Sequence, residues 1–200
     1  MPFRALRIVE TPARKFIRNI EELDLEDLPP GELLVKVVYS SLNYKDALSA
    51  TGNKGITKKY PHTPGIDAAG VVELSRNPKF AVNEEVIVTG RDLGMNTAGG
   101  FGQYIRVPAE WAIKKPLQLS FQDAMSFGTA GLTAAYALYK MQLMKQLPSK
   151  GPIVVTGSTG GVGSIAVAIL AKAGFEVIAV TGKENAKEYL QYLGASEVES

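Results

Sequence analysis

The stretch from Val154 to Leu170, VVTGSTGGVGSIAVAIL, constrains the fold more than any other part of the chain. It passes from a β-branched apolar run, through glycines at 157, 160, 161 and 163, into a segment of apolar helix-forming residues. A glycine loop between a strand and a helix offers backbone N–H groups at the positive end of a helix dipole, which makes it a phosphate site. Around it the pattern predicts a strand over 153–156, the loop over 157–163, a helix over 164–173, a strand over 175–181 and a helix over 184–193. Such a βαβα run builds a parallel sheet with right-handed crossovers and binds ligands where strand carboxyl ends meet helix amino ends. The segment SIAVAILAKA, apolar almost all round, reads as a buried crossover helix too short to span a bilayer.

Gly160 and Gly163 take the second and third glycine positions of the dinucleotide fingerprint, and Ser158 stands at the first. Ser158, Thr159, Gly160, Gly161 and Val162 are therefore candidate cofactor-binding residues. Rival motifs fail on spacing. A nucleotide P-loop needs a lysine where Ser164 follows Gly163, and a nucleophile elbow needs a glycine where Thr156 stands two before Ser158. The TGxxxGxG loop of short-chain dehydrogenases fits better, and Tyr136 and Lys140 have the YxxxK spacing. In that family, however, the loop opens the domain and YxxxK follows it; here the order is reversed, so Tyr136 and Lys140 read as one turn of an ordinary helix. The tip of the second strand, Val180-Thr181-Gly182-Lys183, carries no acid for ribose hydroxyls; a hydroxyl, a flexible glycine and a cation suit a 2′-phosphate. Thr181, Gly182 and Lys183 join the cofactor-binding candidates, and NADPH is the expected cofactor. Glu184 either faces that cofactor or serves as a first-turn helix carboxylate.

Upstream, residues 1–115 read as short strands and turns, a small irregular β domain. In ELLVKVVYSS, Val35, Val37 and Tyr39 fall on one face at period two. One helix is expected in NYKDALSA, 43–50, with Gly52 beyond its end. Helical texture resumes at Ser120, so the expected domains are 1–120 and 121–200. Lys and Arg total 22 against 20 Asp and Glu, a net +2 that gives no footprint for nucleic acid or an anionic membrane. Cysteine is absent, which removes disulfides and zinc-thiolate sites, and His62 is the single histidine. His62 therefore reads as a structural residue, and no metal is expected. Without a signal-peptide core or an 18-residue apolar run, the expected location is the cytoplasm.

Six blocks in order, SSLNYKDALSATG, PHTPGIDAAGVV, GGFGQYIRVPAEW, FGTAGLTAA, TGSTGGVGSIAVAIL and YLGASEV, resemble the zinc-free medium-chain dehydrogenase/reductases. Within them the chain is most similar to the quinone oxidoreductase branch, the YhdH/YhfP or acryloyl-CoA reductase group. The resemblance implies an α/β protein, with a GroES-like catalytic domain followed by a Rossmann domain that continues beyond residue 200. It also implies hydride transfer from NADPH to an activated carbon-carbon double bond of a small molecule, an enoyl thioester such as acryloyl-CoA, an enal or a quinone, and a homodimer when full length. Zinc-dependent relatives carry Gly-His-Glu where Gly65-Ile66-Asp67 stands here. The resemblance assigns Asn43, Tyr44 and Asp46 to the catalytic cleft, and Tyr44 and Thr129 to the nicotinamide. Capping of the 43–50 helix also accounts for Asn43 or Asp46. A non-catalytic NADPH-binding protein of the same fold, a sensor or crystallin-like protein, is the alternative, because fold alone does not assign activity.

Overall fold

The computed structural model describes residues 1–200 as two compact units, Met1–Thr129 and Ala130–Ser200. In the first, a hairpin of β1 (Pro2–Glu10) and β2 (Phe16–Asp24) precedes a five-stranded antiparallel sheet. The sheet holds β3 (Leu33–Ser40), β4 (Asp67–Ser75), β5 (Glu85–Thr89), β6 (Tyr104–Val107) and β7 (Ala112–Lys114), in the order β6-β3-β4-β5-β7. Its inner face is β-branched and aliphatic: Leu33, Val35, Val72, Val86, Val88, Ile105 and Val107 are buried together. Each such side chain contributes about 1.5–3 kcal/mol on leaving water. The period-two reading of β3 fails at Tyr39. Val37 pairs with Gly70 and Tyr39 with Ala69, so Val38 bulges out of the ladder. One extra residue moves every later side chain to the other face, and Tyr39 is exposed.

The helix α1 (Tyr44–Ala50) starts at its N-cap Asn43, whose backbone N–H is taken by Asp46 Oδ2 at 2.8 Å. It ends at Thr51, and Gly52 supplies the positive φ of 87° that follows. The helix α2 (Phe121–Leu143) begins with Ser120 accepting from Asp123 N–H at 3.0 Å. The unit boundary lies at Thr129 rather than at residue 120, because Ala124 and Met125 on the first turns of α2 pack with Ala69 and Ile87.

The second unit alternates as the glycine loop requires. It runs β8 (Ile153–Thr156), α3 (Gly161–Lys172), β9 (Val177–Val180), α4 (Lys187–Tyr192) and β10 (Glu197–Glu199). The three strands are parallel in the order β10-β9-β8. The β8 bounds match the expected strand, while α3 begins three residues before the expected start of its helix, at Gly161. Val167, Leu170, Phe175, Val177, Ala179 and Leu190 form its core. On α3, read from sequence as a buried crossover helix, Gly163, Val167 and Leu170 make the buried stripe. No helix is long and apolar enough to cross a membrane.

Candidate functional site

Each unit holds its own constellation of candidate functional residues. In the second, the chain leaves β8 at Gly157, whose φ of 59° turns it toward α3. At the start of α3, Ser164 N–H reaches Gly160 O at 2.9 Å, while the amides of Gly161, Val162 and Gly163 have no acceptor within the helix. These three donors at a helix amino terminus suit a phosphate oxygen. The loop lies this close because residue 163 lacks a side chain: a Cβ there would meet Gly157 O at 2.3 Å and Ser158 Cα at 2.8 Å.

Two of the expected phosphate ligands are corrected. Ser158 is fully buried, its Oγ lies 2.7 Å from Val155 O and 2.8 Å from Val180 O, and its N–H donates to Val180 O at 3.2 Å. Both its donors therefore tie the ends of β8 and β9 together. The Gly160 N–H closes a turn onto Gly157 O at 2.9 Å. Gly161 and Val162 keep their donors, and Gly163, read from sequence only as a packing residue, adds a third.

Beside the loop, Thr159 Oγ1 meets Thr181 Oγ1 at 3.3 Å, and Thr181 Oγ1 accepts from Lys183 N at 3.3 Å. This fixes the turn after β9. Thr159 and Lys183 then line a pocket of about 600 Å³ with Glu184, Asn185, Ala186 and Tyr189. Gly182 has open space about it. Lys183 is exposed and Thr181 buried. Away from this pocket, Lys140 Nζ sits over the Tyr136 ring at 5.1 Å, an ordinary contact along one helix.

In the first unit, two buried carboxylates organise the segment around α1. Asp46 Oδ1 accepts from Gly65 N at 3.0 Å and Ile66 N at 2.9 Å, so α1 is fastened to the start of β4. Burial pushes the Asp46 carboxyl above the usual carboxylate range, and its backbone donors pull the other way. Asp67 Oδ2 accepts from Ser41 Oγ at 2.6 Å, Asn43 Nδ2 at 2.9 Å and Thr129 N at 2.9 Å, and Asp67 Oδ1 accepts from Thr129 Oγ1 at 2.6 Å. Asn43 Nδ2 also donates to Ser41 Oγ at 3.2 Å.

Of the three residues assigned to catalysis, Asn43 and Asp46 are thus corrected: their polar groups are engaged inside the unit. The amide hydrogens of Asn43 and the carboxylate of Asp46 are committed inside the unit. Tyr44, between them at the first helical position, is 80% exposed. Asp67 and Ser41 were not singled out from sequence as site residues.

His62 is buried, with Nε2 2.9 Å from Gly94 O and its backbone paired to Ile8. Burial lowers its pKa, with Gly94 O and Asp92 opposing and Arg7 assisting. The folded protein therefore holds a neutral ring, whereas the unfolded chain takes up a proton near pH 6.5. His62 stabilisation is complete above that pH and is lost as pH falls through and below it. His62→Gln retains an N–H donor without titrating. The wild type is expected to lose Tm relative to this variant between pH 7 and 5.5; a constant difference would mean that His62 does not titrate there.

Residues 29–117 match the alcohol dehydrogenase GroES-like domain. The chain is 44% identical to acrylyl-CoA reductase AcuI of Ruegeria pomeroyi over 179 residues, 90% of this chain and 54% of that protein. It superposes on the yhdH oxidoreductase of Salmonella enterica, solved in complex with NADP, with a TM-score of 0.94 at 41% identity. That match covers 99% of this chain and 60% of the other. The chain is thus similar, over nearly all its length, to members of the YhdH/YhfP group of the medium-chain dehydrogenase/reductases. Protein yhfP of Bacillus subtilis, solved with NAD bound, gives a TM-score of 0.94 at 43% identity, again over 99% of this chain and 60% of its own. The chain therefore spans between 54% and 60% of the length of these relatives, with a GroES-like unit followed by a Rossmann-type parallel sheet.

Proposed function

We propose that this chain forms the GroES-like domain and the first half of the Rossmann domain of an NADPH-dependent reductase. Its substrate is a small molecule with an activated carbon-carbon double bond, such as an enoyl thioester, an enal or a quinone. The observation that carries this reading is the set of three amides without a helical acceptor at Gly161, Val162 and Gly163, with Lys183 lining a pocket beside Thr159 of the same loop. The amides suit the pyrophosphate, and Lys183 suits a 2′-phosphate. The relatives solved with NADP support the same cofactor.

Bound NADPH supplies the hydride. The chain's own residues hold its phosphates and orient the reacting groups. The Tyr44 hydroxyl donates a hydrogen bond to the oxygen on which negative charge develops as the double bond is reduced. Water then supplies the proton to the α-carbon. Zinc independence is part of the proposal, supported by the absence of cysteine and by the commitment of the His62 ring to Gly94 O. The deciding experiment follows NADPH absorbance in the full-length protein with a panel of activated alkenes and a chelator present. Steady oxidation supports the reading, and tight NADPH binding without turnover on any acceptor would favour a non-catalytic role.

Tyr44→Phe keeps the ring and removes the hydroxyl. Its kcat is expected to fall about 10- to 100-fold, below the ~10²–10³ typical of losing an oxyanion donor in an enclosed site, because Tyr44 is largely exposed. Unchanged kcat in steady-state assays would place Tyr44 outside the site.

A further inference from the structure

At the end of the five-stranded sheet away from Ser41 and Asp67 lies a pocket of about 410 Å³, separate from both constellations. On β3, Leu34 pairs with Leu74 of β4 and with Arg106 of β6, and paired residues of an antiparallel sheet point to the same face. On that face Leu34 packs with Phe3, Leu28 and Tyr104. Arg76 follows just beyond Leu74, and its backbone N–H donates to Glu32 O at 2.9 Å. Leu28, Pro30, Leu34 and Leu74 form the apolar part of the lining, and the two arginines form the charged part. Segment 28–31 lies close over the sheet because residue 31 is glycine; a Cβ there would lie 2.7 Å from backbone atoms of Val107. Leu34 and Ser40 stand about 20 Å apart along β3, at about 3.3 Å per residue.

The charges in this pocket are unbalanced. Arg106 is half-buried and donates from Nη1 to Leu28 O at 3.2 Å, while its other N–H groups and the whole Arg76 guanidinium have no partner in the protein. No carboxylate lines the pocket. Glu32, whose carbonyl pairs with Arg76, has both carboxylate oxygens occupied, by Asn77 Nδ2 at 2.7 Å and by Ala109 N at 3.0 Å. Elsewhere in this unit Lys54, Lys114 and Lys115 each meet a glutamate. Two guanidinium groups at one pocket repel each other, and an oxyanion removes that repulsion while accepting N–H bonds from the planar forks. The tie to Leu28 O already holds Arg106, so less of its freedom is lost on binding. A bare inorganic oxyanion would leave the leucine wall against water, whereas a short hydrocarbon chain covers it.

We propose that this pocket binds a small organic carboxylate, its charged group between Arg76 and Arg106 and its hydrocarbon chain against Leu28, Leu34 and Leu74. The site lies wholly within the first unit and depends neither on NADPH nor on the reductase reading. It is an accessory ligand site, apart from the reaction.

The test titrates the full-length protein, free of cofactor and substrate, with butyrate, hexanoate and inorganic phosphate, and reads Kd by ligand-observed NMR. Hexanoate is expected to bind about tenfold more tightly than butyrate, since each methylene leaving water changes affinity by about a factor of four. Phosphate should bind about tenfold or more weakly than hexanoate. Arg76→Gln should weaken hexanoate about tenfold, the effect of losing one charge-assisted pair. Arg76 is exposed and its side chain ties down no other segment, so the unliganded Tm of this variant should match the wild type. Lys79→Gln removes a nearby cation that lines a different pocket and should leave Kd unchanged. No hexanoate binding by the wild type, equal affinity for butyrate and hexanoate, or phosphate bound as tightly as hexanoate overturns the proposal. So does equal weakening by Arg76→Gln and Lys79→Gln, which would mean general attraction by surface charge. If Arg76→Gln fails to fold, Arg76→Lys decides: it keeps the charge and loses the fork, so hexanoate should weaken about threefold or more, and wild-type affinity overturns the site. Hexanoate binding without NADPH binding would remove the reductase reading and support this site, whereas NADPH binding with no response to hexanoate removes this site alone.

Discussion

Gly163→Val is expected to abolish measurable NADPH binding and to lower Tm. The position is helical, and by propensity alone any residue other than proline would stabilise α3, alanine by about 1 kcal/mol over glycine. Sterics decide the other way. The first side-chain atom would sit 2.3 Å from Gly157 O and 2.8 Å from Ser158 Cα, both backbone. Backbone cannot swing aside as a flexible side chain can, so α3 and the loop must separate. Forcing atoms into a filled space costs about 1–3 kcal/mol, or about 2–10 °C in Tm for a chain of this size. The same separation moves the amides of Gly161, Val162 and residue 163 away from the loop end that they share, and the phosphate loses its cradle. Gly182→Ala is the control, since nothing lies within 4 Å of a Cβ there. Its Tm should match the wild type. Thermal unfolding and cofactor titration of both variants make the test. An unaltered Kd in Gly163→Val would mean that the loop does not hold the pyrophosphate.

Lys183→Ala is expected to weaken NADPH about tenfold to a hundredfold and to leave NADH nearly unchanged. A charge-assisted hydrogen bond to phosphate is worth about 1.5–3 kcal/mol, and 1.4 kcal/mol is about a factor of ten. An exposed ion pair between ordinary side chains would be worth only about 0–1 kcal/mol. The larger figure applies because the 2′-phosphate carries more charge and because the backbone N–H of Lys183 is already fixed to Thr181 Oγ1. The advantage of NADPH over NADH should shrink as ionic strength rises, since Lys183 faces solvent. Glu184 lines the same pocket and opposes a second negative group, which makes the lysine more necessary. Equal losses for the two cofactors in paired titrations would assign Lys183 a purely structural role. That result would also leave the NAD found with the yhfP relative as the better guide to cofactor choice.

Local pattern determined a large part of this protein. The glycine loop, β8, the helix that follows the loop and the basic turn after β9 could be read in sequence because each is defined by neighbours a few residues apart. Turn chemistry and a helix amino terminus suffice to build them. The capping of α1 by Asn43 and Asp46 was legible for the same reason, and so was the competing possibility that capping explains both residues.

What the sequence alone could not decide depends on separation along the chain. Asp67 meets Ser41, Asn43 and Thr129 across 26, 24 and 62 residues, and no periodicity links them. The bulge at Val38 reversed the exposure of Tyr39 because register is a property of the partner strand. The polar β2 showed no period-two signal because most of its side chains face water. The inward turn of Ser158 was hidden for a related reason: Val155 O and Val180 O come together only when β8 and β9 pair. Sequence named Tyr44, Thr129 and the glycine-loop residues as candidates and passed over Asp67 and Ser41. Tertiary structure decided which of their hydrogen-bonding groups remain for a ligand, because a buried donor or acceptor must find a partner and takes the one that folding brings to it.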